Sequence, residues 1–297
     1  MGVGSKKSTW AWGYGMIAPT IIGLIILNII PSFQTVYYSF FKTGAFGKGS
    51  EFVGLENYSR LINDSQVWQA TWNTIRYTLL VIPPAIIISL ILAVLVNNIK
   101  GKSIYRTIYF LPMVAAPAAV TMVWRWLYNN QFGLINQILG YVGIGPINWI
   151  ENPSVAIYSV AIIGIWSTIG YNMVLLLAGL QEIPQDYYEA ADIDGASMFS
   201  KTVNITLPLL SPQLFFVSVT GIIQGIQVFD VIFMLINPSM PSYPTTVSLV
   251  YLFYNNTFKY SDRGYGSAIV ALILVIILIL TFIQVKLQNK WVHYMGE

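Results

Sequence analysis

Three polar side chains recur at three-residue intervals in an otherwise apolar part of the chain: Gln224, Gln227 and Asp230. Residues three apart lie on one face of an α-helix, so the spacing predicts a polar strip. Each amide offers donors and an acceptor that can replace the water around a solute's hydroxyl groups. Polar groups at membrane depth are costly and usually face a bundle interior or a wet cavity. The strip therefore predicts part of a solute path, with helix–helix hydrogen bonding by the glutamines as the alternative.

Aromatic residues in two neighbouring apolar segments are candidates for the same path. Trp124 and Trp126 close one segment, whereas Trp166, Tyr171 and Asn172 lie in the next. The rings of the tryptophans and of Tyr171 offer flat apolar faces to a cyclic solute, although tryptophan also anchors helices at a membrane interface. The candidate path residues are Gln224, Gln227, Asp230, Trp166, Tyr171, Asn172 and Trp124.

No pattern typical of catalysis or metal binding occurs in the chain. Cysteine is absent, and the single histidine, His293, lies near the C-terminus beside basic residues and is expected to be a surface group. A phosphate-binding Gly-x-x-x-x-Gly-Lys-Ser/Thr loop is missing as well. We therefore expect no enzyme activity, no catalytic residue, no metal site and no cofactor bound by this chain itself.

The elements that must position these side chains are predicted to be membrane helices. Of 297 residues, 56% are hydrophobic and 9% are charged, and the mean hydropathy is +0.64. Soluble domains carry roughly 25% charged residues. The net charge of +3 is too small to indicate a nucleic-acid partner. The composition predicts an all-α integral membrane protein whose surroundings are a lipid bilayer.

Six charge-free runs are long enough to cross a bilayer, which needs roughly 20 apolar helical residues. We predict one transmembrane domain over residues 1–297. Two interpretations remain open for the prolines inside spans two and three: kinks that line a cavity, or ordinary tolerated kinks. These prolines are Pro83, Pro84, Pro112 and Pro117. The first run exceeds a signal-peptide core and is interpreted as an anchor. The predicted spans lie near residues 14–38, 75–97, 106–127, 155–180, 210–236 and 266–287.

Basic residues favour one orientation. Eight of the fifteen lie on the side that the two termini share, a weak positive-inside bias. Both termini, and the loop 181–209, are therefore predicted to be cytoplasmic. Arg125 and Asp230 would then rise to about the same depth, ~27–29 Å at 1.5 Å per residue, and we expect them to pair or to share a polar network, because a lone charge there is costly.

The loop 181–209 is predicted to form two short helices joined by a sharp turn. Residues 185–193 form the first helix, and Asp194 is expected to cap the second. Gly195 supplies the backbone freedom that the reversal needs. Ala190 and Ala191 are small enough for another surface to approach closely. A solvated amphipathic loop without a partner is the alternative interpretation.

The sequence of this loop, Glu-Ala-Ala-x-x-Asp-Gly-Ala followed by an isoleucine and Leu-Pro, resembles the EAA signature of ABC importer permeases. Thr202 departs from the usual phenylalanine, and Phe199 is the candidate replacement. Segments 52–58, 105–112 and 180–184 also resemble the maltose-type carbohydrate permeases. The signature residues are Glu189, Ala190, Ala191, Asp194, Gly195, Ala196, Ile205 and Pro208.

This resemblance implies the type I ABC importer permease fold with six transmembrane helices. It implies one half of a heterodimer that imports a carbohydrate, whether oligosaccharide, monosaccharide or polyol, by alternating access. Maltose itself is not implied, because the chain has no room for the large external insertion of the maltose permease. The setting would be a bacterial or archaeal cytoplasmic membrane, with both termini inside.

The resemblance also implies partners: a second homologous permease, an extracytoplasmic solute-binding protein, and two ATP-binding subunits that hold ATP and Mg. The ATPase would dock on Tyr188, Glu189, Ala190, Ala191, Asp194, Gly195 and Ala196. Two other functions remain open from the residues alone. One is a secondary transporter that carries its coupling ion on Asp230, and the other is a membrane scaffold without transport.

Overall fold

A computed structural model describes residues 6–43, 50–97 and 99–292, so His293 lies outside the described part. The described chain is mostly helical and includes one two-stranded sheet. The helices are α1 (Lys6–Leu24), α2 (Ile30–Tyr38), α3 (Glu56–Asn63), α4 (Ser65–Asn97), α5 (Lys102–Val114), α6 (Pro117–Leu127), α7 (Leu134–Tyr141), α8 (Ala156–Glu182), α9 (Asp186–Ile193), α10 (Met198–Lys201), α11 (Leu207–Leu209), α12 (Ser211–Ile226), α13 (Asp230–Leu235), α14 (Tyr243–Thr246), α15 (Leu249–Tyr254) and α16 (Arg263–Trp291). The strands are β1 (Phe41–Thr43) and β2 (Ser50–Phe52), and π-helical turns occupy Ile25–Ile29, Thr202–Thr206 and Asn255–Lys259.

Five helical segments in the described chain are long and apolar enough to cross a bilayer. They are Trp12–Tyr38, Ser65–Asn97, Ala156–Glu182, Ser211–Leu235 and Arg263–Trp291. A sixth candidate consists of α5 and α6 taken together. The all-α membrane fold class is confirmed, and the described helices supply five spans, or six if the bent pair of α5 and α6 is one span.

The third span is broken, so the prediction of one helix over 106–127 is wrong. Helices α5 and α6 meet at an angle of 95°. Ala115 and Ala116, which separate them, have extended ψ values of 141° and 130°. The ring of Pro117 disfavours the α region for the residue before it. The corner therefore has a local cause, although its angle does not follow from the proline alone.

The fifth span also contains a break within the predicted helix 210–236. Helix α12 ends at Ile226, and α13 begins at Asp230. Gln227 is the C-cap residue of α12 and Phe229 has φ −140° and ψ −61°, outside the helical region. The predicted polar strip on one helix face is therefore wrong, because the three residues do not share a helix.

The chain divides into two compact units, and the first comprises Met1–Asp64 and Phe253–Leu272. Its strands pair antiparallel, with Phe41 opposite Phe52. The Asn57 side-chain amide donates to the Ser39 carbonyl at 2.9 Å and to the Phe41 carbonyl at 3.0 Å. These bonds attach α3 to the end of α2 and to β1. The single transmembrane domain over 1–297 stays a prediction.

The second unit, Ser65–Leu252 and Ile273–Glu297, is built on close helix contacts at glycines. A Cβ atom on Gly170 of α8 would lie 1.7 Å from the carbonyl oxygen of Tyr109 in α5. Gly225 of α12 approaches Thr78 of α4 in a similar way. Small residues allow such approaches in membrane helices. Helices α4, α8 and α12 thereby form a packed core, against which α5 and α13 are held, and α6 packs on α13.

Candidate functional site

A cavity of about 240 Å³ lies at the corner of the broken third span. We call it the inner cavity. Its walls come from the end of α5, the start of α6, the middle of α8, and the break between α12 and α13. The lining residues are Pro112, Met113, Ala115, Pro117, Val120, Ser167, Thr168, Tyr171, Gln224, Asp230 and Val231.

The inner cavity combines an apolar wall with a few polar groups. Gln224 and Asp230 are exposed, and Tyr171 is half-buried. Asp230 forms no ion pair with any residue in the described part of the chain. Thr168 donates its hydroxyl to the Gly164 carbonyl in the preceding turn of α8. Pockets of this kind orient a small polar solute with a few directed hydrogen bonds.

Four of the seven predicted path residues lie outside the inner cavity. Trp124 and Trp166 pack edge to face, with ring centroids 5.7 Å apart. Asn172 is only 2% exposed, and Gln227 is exposed where α12 ends. The structure thus brings together Tyr171, Gln224 and Asp230, but not the other four.

Ser167 and Thr168 were missed by the sequence reasoning although both line the inner cavity. With Tyr171, they follow the three- and four-residue spacing that puts side chains on one helical face. This spacing of hydroxyl groups inside an apolar span was the signal that could have identified them.

Arg125 and Asp230 do not form the predicted ion pair. The ion pairs within the described residues are Arg60–Asp262 and Lys201–Asp192. Asp230 shares the inner cavity with Pro117 and Val120, whereas Arg125 lines a different cavity further along α6. The prediction counted residues along straight helices, and the 95° corner removes that correspondence in depth.

The predicted turn in the loop 181–209 is present at the end of α9. Gly195 has φ +70°, in the left-handed region. The Ala196 amide donates to the Ala191 carbonyl at 2.9 Å, and the Gly195 amide donates to Asp192 at 3.1 Å. These two bonds form a Schellman motif, which ends a helix at a left-handed residue.

The cap of the second short helix differs from the prediction. Asp194 is the C-cap of α9 rather than the N-cap of α10. Ser197 caps α10, because its hydroxyl oxygen accepts the Ser200 amide at 3.3 Å. Asp194 is one residue before the left-handed turn and therefore too early in the chain to cap α10.

Two side-chain contacts hold α9 against the chain that leads into α12. The Tyr188 hydroxyl lies 3.0 Å from the Thr206 hydroxyl, and Asp192 pairs with Lys201. Tyr188 also packs against an apolar cluster that includes Leu180. The Tyr188 side chain therefore contacts other parts of this chain. Ala191 and Ala196, which were also predicted docking residues, are half-buried.

The opposite side of this loop is exposed and partly apolar. Glu189, Ala190 and Asp194 are exposed. Ile193 is 87% exposed and Phe199 is 78% exposed. Large apolar side chains grouped on a surface mark interaction sites. Ile193 was not among the predicted docking residues, whereas Phe199 was the proposed hydrophobic replacement.

Comparison with known proteins gives consistent results. The family model described as "Binding-protein-dependent transport system inner membrane component" matches residues 66–293. The trehalose/maltose transport system permease protein MalF of Thermococcus litoralis is 36% identical over 92% of this chain and 92% of its own length. The arabinooligosaccharides transport system permease protein AraP of Bacillus subtilis is 31% identical over 97% and 94%.

A solved structure has a similar fold. It is the crystal structure of a bacterial alginate ABC transporter in complex with an alginate pentasaccharide-bound periplasmic protein. One of its chains superposes with a TM-score of 0.82 at 21% identity, over 96% of each chain. At that identity, the likeness shows the fold alone.

Proposed function

Since this chain belongs to the family of binding-protein-dependent transport system inner membrane components, we propose that it is the permease subunit of an ATP-driven importer for a carbohydrate. The family match over residues 66–293 carries the proposal. The saccharides in the names of its relatives and the polar groups of the inner cavity support the carbohydrate class. Ion-coupled transport on Asp230 has no such support.

The chain would work within a larger assembly in a bacterial or archaeal cytoplasmic membrane. A second homologous permease completes the path, and an external solute-binding protein delivers the saccharide. A solved relative with a saccharide-bound periplasmic protein supports this arrangement. Two further subunits bind ATP and Mg, because this sequence has no phosphate-binding loop. Both termini and the loop 181–209 face these ATPases.

The loop 181–209 serves as the mechanical link to the ATPase. The exposed Glu189, Ile193 and Phe199 form its outer surface. The contacts of Tyr188 and Asp192 hold α9 to the chain entering the fifth span. Movement of an ATPase bound to α9 would therefore reach the helices that line the inner cavity. That displacement would drive alternation between outward-open and inward-open states.

The inner cavity is proposed to hold the solute during that cycle. Gln224 and Tyr171 donate to and accept from sugar hydroxyls, and the Asp230 carboxylate accepts from them. Gln227, Asn172, Trp124 and Trp166 lie outside the cavity and are not assigned a contact with the solute. Hydrogen bonds with several partners favour a solute rich in hydroxyl groups over an apolar one.

The test is solute-stimulated ATPase activity of the assembled transporter in proteoliposomes. The panel consists of glucose, trehalose, maltose, maltotriose and sorbitol, each offered with the binding protein. We expect at least one member to stimulate ATP hydrolysis and to accumulate inside the vesicles. No stimulation and no uptake with any member would contradict the carbohydrate class, whereas uptake that persists without ATP would contradict the importer.

A further inference from the structure

A second cavity, of about 310 Å³, lies at the C-terminal end of α6. We call it the outer cavity, because the predicted topology places this end of α6 outside the cell. In contrast to the inner cavity, its lining is mainly polar. The polar side chains that line it are Arg125, Asn129, Asn130, Gln131, Asn148 and Glu151.

The walls of the outer cavity are held by a buried hydrogen-bond network. The Asn136 amide nitrogen donates to the carbonyls of Asn130 at 3.2 Å and Ile147 at 3.0 Å. Its oxygen accepts the Trp149 indole N–H at 2.8 Å. Tyr128 stacks on Trp149, with centroids 5.6 Å apart. A network of this kind fixes the loop on both sides of α7, so the cavity is organised before any ligand binds.

Several polar groups in this rigid frame have no internal partner. The side chains of Arg125, Asn130 and Gln131 form no hydrogen bond or ion pair with any residue the structure describes. Asn148 and Glu151, in contrast, bond to each other. Free donors and acceptors therefore line a concave surface that carries one cation and one anion. That balance suits a neutral ligand with many hydroxyl groups.

The two cavities are connected by one helix. Pro117 and Val120 line the inner cavity, and Arg125 lines the outer one. Five to eight residues of α-helix correspond to about 8–12 Å. A solute that enters from outside would meet the outer cavity first and would then need to move about this distance along α6.

We propose that the outer cavity is a second saccharide subsite, occupied before the inner cavity or, by an oligosaccharide, together with it. This inference rests on the proposed function. The volume lies in the range of about 300–1,000 Å³ that is typical of small-ligand pockets. Docking of a protein surface usually buries about 800 Å² on each partner, and nothing in this compact concavity requires so large a partner.

The absence of cysteine from the chain permits a direct test. Asn130→Cys, Gln131→Cys and Gln224→Cys are prepared singly in the assembled transporter, and the rate of maleimide labelling is measured with and without maltotriose. Gln69→Cys is the matched control, because Gln69 is an exposed amide on α4 that lines neither cavity. We expect maltotriose to slow labelling at positions 130, 131 and 224, but not at 69.

A second variant measures the contribution of one amide. Asn130→Ala, added to Gln131→Cys, should raise the maltotriose concentration that gives half-maximal protection by about 2- to 12-fold, the equivalent of one hydrogen bond. Gln69→Ala, added to the same background, should leave that concentration unchanged. Equal effects of the two alanine variants would overturn the subsite.

The outcomes separate this inference from the proposed function. Protection at position 224 without protection at 130 and 131 would overturn the outer subsite and leave the function intact. Protection at 130 and 131 by the solute-free binding protein alone, equal to that by maltotriose, would overturn it in favour of a docking surface. If the whole panel failed to stimulate ATPase activity, the proposed function would fail and the subsite with it.

Discussion

At the scale of residues, the structure separates two glutamines that the three-residue spacing had made equivalent. Gln224 lines the inner cavity, whereas Gln227 caps α12 outside it. Both side chains are exposed, so their difference lies in what surrounds them. Only Gln224 is positioned beside Asp230 and Tyr171, where a solute could bond to several groups at once.

Replacement of Gln224 by alanine should therefore weaken transport. The lost hydrogen bonds are worth about 0.5–1.5 kcal/mol each, which corresponds to about a 2- to 12-fold lower uptake at subsaturating solute. Gln227→Ala is the matched control and should stay close to wild type. The measurement is the initial uptake rate of each variant, and size-exclusion chromatography checks that the complex assembles. A larger loss of uptake in Gln227→Ala than in Gln224→Ala would contradict the assigned cavity.

Charge reversal at Glu189 should release the ATPase. Glu189 is exposed on α9 and is proposed to meet a basic residue across the interface. Loss of such a pair costs about 2 kcal/mol or more, or roughly a 30-fold weaker association. The measurement is the amount of ATPase that is pulled down with the Glu189→Lys variant, compared with wild type. Asp186→Lys changes the net charge equally on the same helix, so an equal loss in both variants would show a non-specific effect.

At the scale of elements, the proposed mechanical link to the ATPase depends on a turn whose geometry is set by one residue, Gly195. Gly195 ends α9 with φ +70°, and no atom would lie within 4 Å of an added Cβ. The need for glycine is therefore conformational rather than steric. The turn exposes Ile193 and Phe199 while Tyr188 stays in contact with Thr206.

Two substitutions at Gly195 should consequently differ. Valine in the left-handed region costs about 1–2 kcal/mol or more, whereas asparagine adopts that region with less strain. We expect Gly195→Val to lose ATP-dependent uptake and Gly195→Asn to retain most of it. Both should insert in the membrane at normal levels. Equal uptake by the two variants would mean that the turn does not transmit the movement.

The crossing of α5 and α8 should be intolerant of even one extra carbon. At Gly170, a Cβ would lie 1.7 Å from the Tyr109 carbonyl oxygen, a backbone atom that cannot turn aside. Gly170→Ala should lower the melting temperature in detergent, since overpacking costs about 1–3 kcal/mol. Gly140→Ala on α7 meets nothing within 4 Å and should be neutral or slightly stabilising; similar melting temperatures would contradict the close approach.

At the scale of the whole molecule, we propose that the chain supplies a path for the solute and a mechanical link to separate ATPase subunits. The helices line a cavity that is proposed to hold the solute. The loop 181–209 exposes apolar side chains that are proposed to contact a partner. Under the proposed function, the energy comes from ATPase subunits that bind the loop, and an ion gradient has no part in transport.

Transport by the assembled complex should therefore follow ATP and ignore the proton gradient. In right-side-out vesicles or proteoliposomes that hold ATP and the ATPase face inside, withdrawal of Mg from the ATPase should abolish saccharide accumulation, whereas a protonophore should leave it unchanged. Asp230→Asn should not alter this pattern, whatever its effect on the rate. Collapse of accumulation with the protonophore would support the ion-coupled alternative.

The sequence by itself determined the features that depend on local chemistry and on the solvent. Long charge-free runs require lipid, so the membrane class and the six candidate spans followed directly. The left-handed turn at Gly195 was also predictable, because glycine adopts that conformation at low cost. Pro117 indicated a kink in the third span, but the sequence did not predict that one helix ends and another begins there.

Only the tertiary structure decided which polar groups meet. The 95° corner placed Asp230 beside Pro117 rather than beside Arg125, and the end of α12 at Ile226 removed Gln227 from the cavity. Ser167 and Thr168 joined the site because α8 packs beside that corner. Residue spacing indicates which side chains share one face of a helix. A cavity depends instead on how separate helices pack. That packing is set by contacts between residues far apart in the chain.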